Sequence, residues 1–141
     1  MAITRNQTQV TWSSASTLSV TSATEVVSDV ITLDDTCVAL SIQLSADNAG
    51  TPASGDTAVW RIQWSNGDVL ANTGDDYDTS EHAQFLAQLD TFATNTPGED
   101  PARMTVTVTP VSKKFKLACT CANAATRNVT IAARIDEQRA A

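Results

Sequence analysis

The side chains that could do chemistry are few and scattered. Four aspartates, Asp68, Asp75, Asp76 and Asp78, fall within eleven residues, and carboxylate oxygens at that density are the ligands a calcium ion takes. The spacing lacks the alternating ligands and closing glutamate of a helix–loop–helix calcium site, so a solvated acidic turn over 68–78 is expected. Cys119 and Cys121 stand two apart in an alternating stretch. Both point to one apolar face and do not readily bond to each other. Buried, reduced thiols are expected there, while a bridge from Cys37 to Cys119 or to Cys121 stays open. His82 is the single histidine, so no Ser/His/Asp set can be assembled and a metal site lacks ligands at the right spacing. The five glycines are isolated turn residues rather than a phosphate-cradling loop. Carboxylate pairs occur without an aromatic-lined surround, and only Tyr77 and Trp12 offer rings that could meet a sugar. The expectation is a protein that is not an enzyme and uses no cofactor and no metal.

Binding is the chemistry left. Trp60 and Trp64 lie on one face of a strand with Ile62 between them, which reads as core filling or as a subunit surface. Val10 and Trp12 also share a face in an extended chain. They are the only large apolar groups beyond Ile3 in a Thr-, Ser-, Asn- and Gln-rich opening. Residues 1–16 are therefore expected to be an extended arm, with Val10 and Trp12 its partner-binding residues; an ordinary edge strand packed on its own domain is the alternative.

Strands must position these groups. Three runs near the C-terminus alternate apolar and polar residues: Met104, Val106 and Val108; Phe115, Leu117, Cys119 and Cys121; and Val129, Ile131, Ala133 and Ile135. A period of two means strands with one apolar and one wet face, and their short polar connections predict an antiparallel meander. Earlier runs add Leu18 and Val20, the stretch Glu25 to Leu33, Cys37 to Ala46, and Ala58 to Ser65. The expected core holds Val38, Leu40, Ile42, Leu44, Trp60, Ile62, Val106, Val108, Phe115, Leu117, Val129 and Ile131.

One segment breaks the pattern. His82, Phe85, Leu86, Leu89, Phe92 and Ala93 recur at three- and four-residue intervals, which predicts an amphipathic helix near 80–93 capped by Asp78 and Glu81. The fold class expected is mainly β: a two-sheet antiparallel sandwich, jelly-roll-like or another Greek key, over residues 17–141, with that one inserted helix.

Totals narrow the partners. The chain has 141 residues, 42% of them apolar and 18% charged, with a formal charge of −7. That length suits a single domain. The net charge repels phosphates and anionic lipid, so neither nucleic acid nor a membrane is an expected partner. No window of about eighteen apolar residues occurs, and Met1 to Asn6 does not read as a secretory signal, so manufacture in a cytoplasm is expected.

Four stretches carry a family resemblance: the Thr/Ser-rich opening, Ser54-Gly55-Asp56-Thr57-Ala58-Val59-Trp60, Gly74-Asp75-Asp76-Tyr77-Asp78, and the closing Arg127 to Ile135. With them the whole chain resembles the small β-sandwich decoration, or cement, proteins of tailed bacteriophages. That resemblance implies a structural virion protein on the outer capsid surface. It would bind the major capsid protein of an assembled icosahedral shell, tie capsomers together, and act as a homo-oligomer (dimer or trimer). The alternative is another virion component, such as a tail, head-fibre or host-glycan adhesion module.

Overall fold

The structure, a computed structural model, describes residues 2–48, 53, 55–67, 74–79, 81–90 and 102–140. Ten strands and one helical turn are formed among them. In chain order they are β1 (Ile3–Gln9), β2 (Leu18–Val20), β3 (Val26–Val27), β4 (Ile31–Thr32) and β5 (Cys37–Asn48). Then come β6 (Thr57–Trp64), β7 (Gln84–Asp90), β8 (Ala102–Val108), β9 (Lys114–Cys121), α1 (Ala124–Arg127) and β10 (Val129–Ala140).

They form two five-stranded antiparallel sheets. The first runs β1-β10-β5-β8, with β2 also on β10; the second runs β3-β9-β6-β7, with β4 also on β9. Alternation decides which residues lie between the sheets. Leu40, Ile42, Leu44 and Ala46 of β5 meet Trp60 and Ile62 of β6, Phe115 and Leu117 of β9, and Ile131 and Ile135 of β10 in one buried cluster. Trp64 packs on Phe115 with ring centroids 5.1 Å apart. Val108 and Val129 are buried as expected.

The predicted meander is not formed. β8 and β10 belong to the first sheet and flank β5, whereas β9 lies in the second beside β6. Each connection among these three strands therefore arches from one sheet to the other. Period-two patterning specifies the buried face of a strand but not the sheet it joins, because both sheets bury their faces in the same core.

The predicted helix is also overturned. Residues Gln84–Asp90 are a strand, β7, paired antiparallel with β6; residues 91–93 and Ser80 lie outside the described residues. Trp60 opposes Ala87 and Arg61 opposes Phe85, which leaves Leu86 as an extra residue in a bulge. The bulge buries Leu86 beside Ala87 and Leu89 and turns Phe85 out, 54% exposed. An alternating strand with one inserted residue places its apolar groups three and four apart, which is how a helix reads. Asp78 instead closes a turn: its N–H donates to the Trp64 carbonyl and its Oδ1 accepts from Asn66 Nδ2 at 2.6 Å.

A second bulge accounts for Val38. Gln138 opposes Ala39 and Arg139 opposes Cys37, so Val38 falls between and is 53% exposed instead of buried. Val106 is half-buried because β8 is an edge strand covered on one side only.

The N-terminal segment belongs to the first sheet. β1 is hydrogen-bonded to β10 from Ile3 opposite Ala140 to Gln9 opposite Arg134. Beyond it, Trp12 and Ala15 exchange backbone bonds around Ser13 and Ser14, whose φ values are 47° and 70°. Left-handed backbone at two serines is costly. Asp29 offsets that cost by accepting the N–H of Ser13 at 3.1 Å and of Ser14 at 2.9 Å, and the Thr11 hydroxyl at 2.6 Å. Neighbouring Ser28 bonds the Leu117 backbone both ways, so the turn is tied to β9 of the opposite sheet.

Candidate functional site

Neither residue expected to reach a partner is at the surface. Val10 is 2% and Trp12 4% exposed, both within the core cluster, and Trp12 lies edge-on to Trp60. The opening segment is anchored by these two side chains, so what it presents outward is β1 and the exposed turn from Ser13 to Ser16.

The acidic loop is divided among separate partners. Asp75 pairs with Lys114 at 3.0 Å, Asp78 accepts from Asn66, and the Asp76 backbone bonds Gly67 and Asn66; Asp68 lies outside the described residues. His82 is exposed, its N–H bonded to the Thr79 carbonyl. The three cysteines are unbridged. Cys119 and Cys121 sit side by side in the core with Sγ atoms 3.7 Å apart. The contact with Cys121 and then burial push the Cys119 thiol far up, away from the thiolate form.

Buried carboxylates serve the scaffold. Glu137, 1% exposed, accepts from Arg139 at 2.6 Å, from the Asp34 N–H at 2.8 Å and from Asn6 at 3.4 Å. Asp56 is likewise buried and accepts from Asn48, Asn123 and the Ala53 N–H. Each satisfies its charge by clamping segments distant in sequence.

The outward faces of the two sheets differ. On the first sheet, alternation turns Ser41, Gln43 and Ser45 of β5 outward, in register with Thr107, Thr105 and Arg103 of β8. On the other side of β5 the same residues meet Asp136, Arg134 and Ala132 of β10. This face is small-residue, hydroxyl- and amide-rich. A shallow depression of about 290 Å³ lies across it, lined by Gln9, Gln43, Ser45, Arg103, Thr105 and Arg134 among others. Gln43 Oε1 accepts both Nε (2.9 Å) and Nη2 (2.6 Å) of Arg134, and Gln9 donates to the Ala133 carbonyl at 2.8 Å.

The second sheet carries rings and cations. The Arg61 guanidinium lies 5.9 Å from the centre of the Phe85 ring, and Lys116 Nζ lies 4.4 Å from that of Tyr77. Burial, then Asp75, pushes the Tyr77 hydroxyl up, and the bond to Asp75 pushes Lys114 up. None of these groupings is visible as a local motif, since each joins residues from strands far apart in the chain.

No family model and no curated protein matches the sequence. Among solved structures, the chain aligns with dimeric latent PorU from Porphyromonas gingivalis at TM-score 0.50 and 8% identity, over 97% of this chain and 13% of that one. The xylanase 10B modules of Clostridium thermocellum complexed with xylohexaose align at TM-score 0.46 and 8% identity, over 76% of this chain and 18% of theirs. An acidic stable capsid structure of a Helicobacter pylori bacteriophage aligns at TM-score 0.44 and 14% identity, over 96% and 93%. The chain spans less than a fifth of the length of the first two. At 8% identity the likeness to PorU speaks to fold alone, and the strand pairing makes this chain a two-sheet antiparallel β-sandwich.

Proposed function

We propose that this chain is a jelly-roll structural protein of a bacteriophage particle. In this reading it attaches without turnover to the outside of an assembled capsid and cements neighbouring capsomers. The strand order supports the jelly-roll part: β1-β10-β5-β8 facing β3-β9-β6-β7 is the interleaving of two Greek keys. The observation that carries the binding part is the outward face of β1-β10-β5-β8. Its Ser, Thr, Gln and Ala side chains can be covered by a protein surface at little cost, and the charges without a carboxylate partner there, Arg103 and Arg134, line one depression. Two twelve-residue strands, β5 and β10, give that face its length. A ligand that binds only the assembled shell stabilises it by mass action, and many weakly bound copies add up. The test is co-sedimentation of purified protein with assembled shells, with the heat resistance of the particles as second readout. Binding that saturates at a fixed copy number per shell and raises heat resistance is expected. Protein that stays in the supernatant overturns the reading.

A second reading has its own observation. Phe85 and Tyr77, each beside a cation on the β6–β7–β9 side, offer ring faces of the kind that sugars stack on. They favour an adhesion module of the same particle. Binding to host glycans lost in Phe85→Ala, with no binding to shells, would select it.

A further inference from the structure

The cations of this acidic chain are nearly all accounted for within the fold. Arg5 pairs with Asp136, Lys113 with Asp35, Lys114 with Asp75, and Arg139 with Glu137 and Asp34. Arg61 and Lys116 lie against rings. Among the described side chains that leaves Arg103 and Arg134, which meet no carboxylate, and both line the same depression on the outer face of the first sheet.

Their placement follows from register. Arg134 on β10 opposes Gln43 on β5, and Ser45, two residues further along β5, opposes Arg103 on β8. Two strand spacings and two residues of rise put the two Cα atoms about 12 Å apart on one face. The side chains thus approach the depression from opposite sides, over Gln43 and Ser45. Arg134 is preset: Gln43 Oε1 takes its Nε and one Nη, which fixes the guanidinium plane and leaves Nη1 to donate elsewhere. The hydroxyls of Ser45 and Thr105 add donors between the two arginines.

We infer that Arg103 and Arg134 form a receiving site for a carboxylate side chain, an aspartate or glutamate presented by a protein partner. The inference rests on the capsid-binding reading and supplies the chemistry of its contact. A chain of net charge −7 repels an acidic surface, so a local pair of guanidiniums is what lets one approach and orients it. Guanidinium matches carboxylate through paired N–H donors. No aromatic ring is among the described residues that line the depression, so among them a sugar acid would find charge but no stacking platform. The opening of about 290 Å³ lies at the lower end of ligand sites and suits one acidic side chain.

The experiment uses the full chain. A hexaglutamate peptide is titrated into isotope-labelled protein while the arginine Nε–H signals are followed by nuclear magnetic resonance. The signals of Arg103 and Arg134 should move together, with affinity that falls as salt rises. The double variant Arg103→Gln, Arg134→Gln should bind about tenfold more weakly while melting at an unchanged temperature. Should the double variant fold poorly, Arg103→Gln alone, on an edge strand, should still weaken binding about fivefold. Equal affinity of variant and wild type overturns the site, and so does tighter binding of a glucuronate oligosaccharide than of the peptide. Shell co-sedimentation separates the two readings. Wild-type protein that ignores shells but binds the peptide through these arginines removes the capsid role and keeps the site. Equal shell binding by the variant removes the site and keeps the role.

Discussion

Trp12 meets Trp60 edge to face, with ring centroids 6.3 Å apart and planes inclined at 62°. The contact joins the segment after β1 to an inner strand of the opposite sheet, so the chain's opening is part of its core. Trp12→Ala should lower stability by about 3–5 kcal/mol. Neither buried indole N–H meets an acceptor among the described residues, and an unpaired buried donor costs about 1–3 kcal/mol. Trp12→Phe keeps a ring against Trp60 and removes one such donor, so it should lose clearly less than Trp12→Ala in chemical unfolding. Equal losses would place Trp12 outside the core.

Asp29 sets an acid dependence. The Thr11 hydroxyl, then the N–H groups of Ser14 and Ser13, hold its carboxyl below the ordinary 3.8. A depressed folded pKa means that the unfolded chain binds the proton more readily. The contribution is therefore fully present above pH 3.8 and is lost as pH falls through the lower folded value. Asp34, held down by the Thr36 hydroxyl and N–H, acts in the same direction. Asp29→Asn should be less stable than wild type at pH 7 and lose less on going to pH 3. Parallel stability curves for the two proteins across that range would contradict the clamp.

The contrast between Ile42 and Leu86 shows how far the sequence can be read. Ile42 sits in an unbroken alternation, so its burial, and that of the sandwich core around it, follows from period alone. Leu86 sits in a bulge, and one inserted residue makes a strand's apolar spacing look helical. Val38 fails for the same reason, beside the other register shift. The placement of β9 in the second sheet was not legible because strand patterning carries no sheet label. Arg103 and Arg134 were hidden differently: they lie on strands separated by β9 in sequence and by β5 in space, and no local spacing encodes that.

The β7 correction has a direct consequence for stability. Leu89 is buried against β6 whereas Phe85 faces out over Arg61. Leu89→Ala should cost about 2–5 kcal/mol by opening a core cavity. Phe85→Ala should cost less than about 1 kcal/mol, the scale of an exposed cation–ring contact. A helix over this segment would put both side chains on its apolar face and make both losses large, so thermal melts of the two variants decide between the structures.

The cysteines should differ in reactivity. Cys37 is partly exposed, whereas Cys119 and Cys121 are buried at 1% and 0%. Burial raises the Cys37 thiol too, so its labelling at neutral pH should be slow but measurable. Cys119 and Cys121 should react only when the chain unfolds, and their labelling rate should rise with denaturant as unfolding does. Three thiols reacting at one rate in native buffer would argue against the core placement.

Two truncations test the anchoring of the N-terminal segment most directly. Residues 2–8 are Ala2 and all of β1 but Gln9; their side chains are largely exposed, and their hold on the domain is the backbone ladder to β10, the bond from Asn6 to Glu137 and the ion pair of Arg5 with Asp136. Removing them leaves Gln9 on the Ala133 carbonyl and Val10 and Trp12 in place. It also uncovers the β10 edge and one oxygen of Glu137, so the melting temperature should fall while the transition stays cooperative. Removing residues 2–12 additionally takes out Val10, worth about 1.5–3 kcal/mol when buried, and Trp12, worth about 3–5 kcal/mol. Their sum rivals the entire stability of an ordinary domain, about 5–15 kcal/mol. That protein should show no cooperative melt and should bind a hydrophobic dye in native buffer. Should it instead melt at the temperature of the shorter truncation, the two side chains would contribute nothing to the core, and an arm that reaches outward would again be the better description.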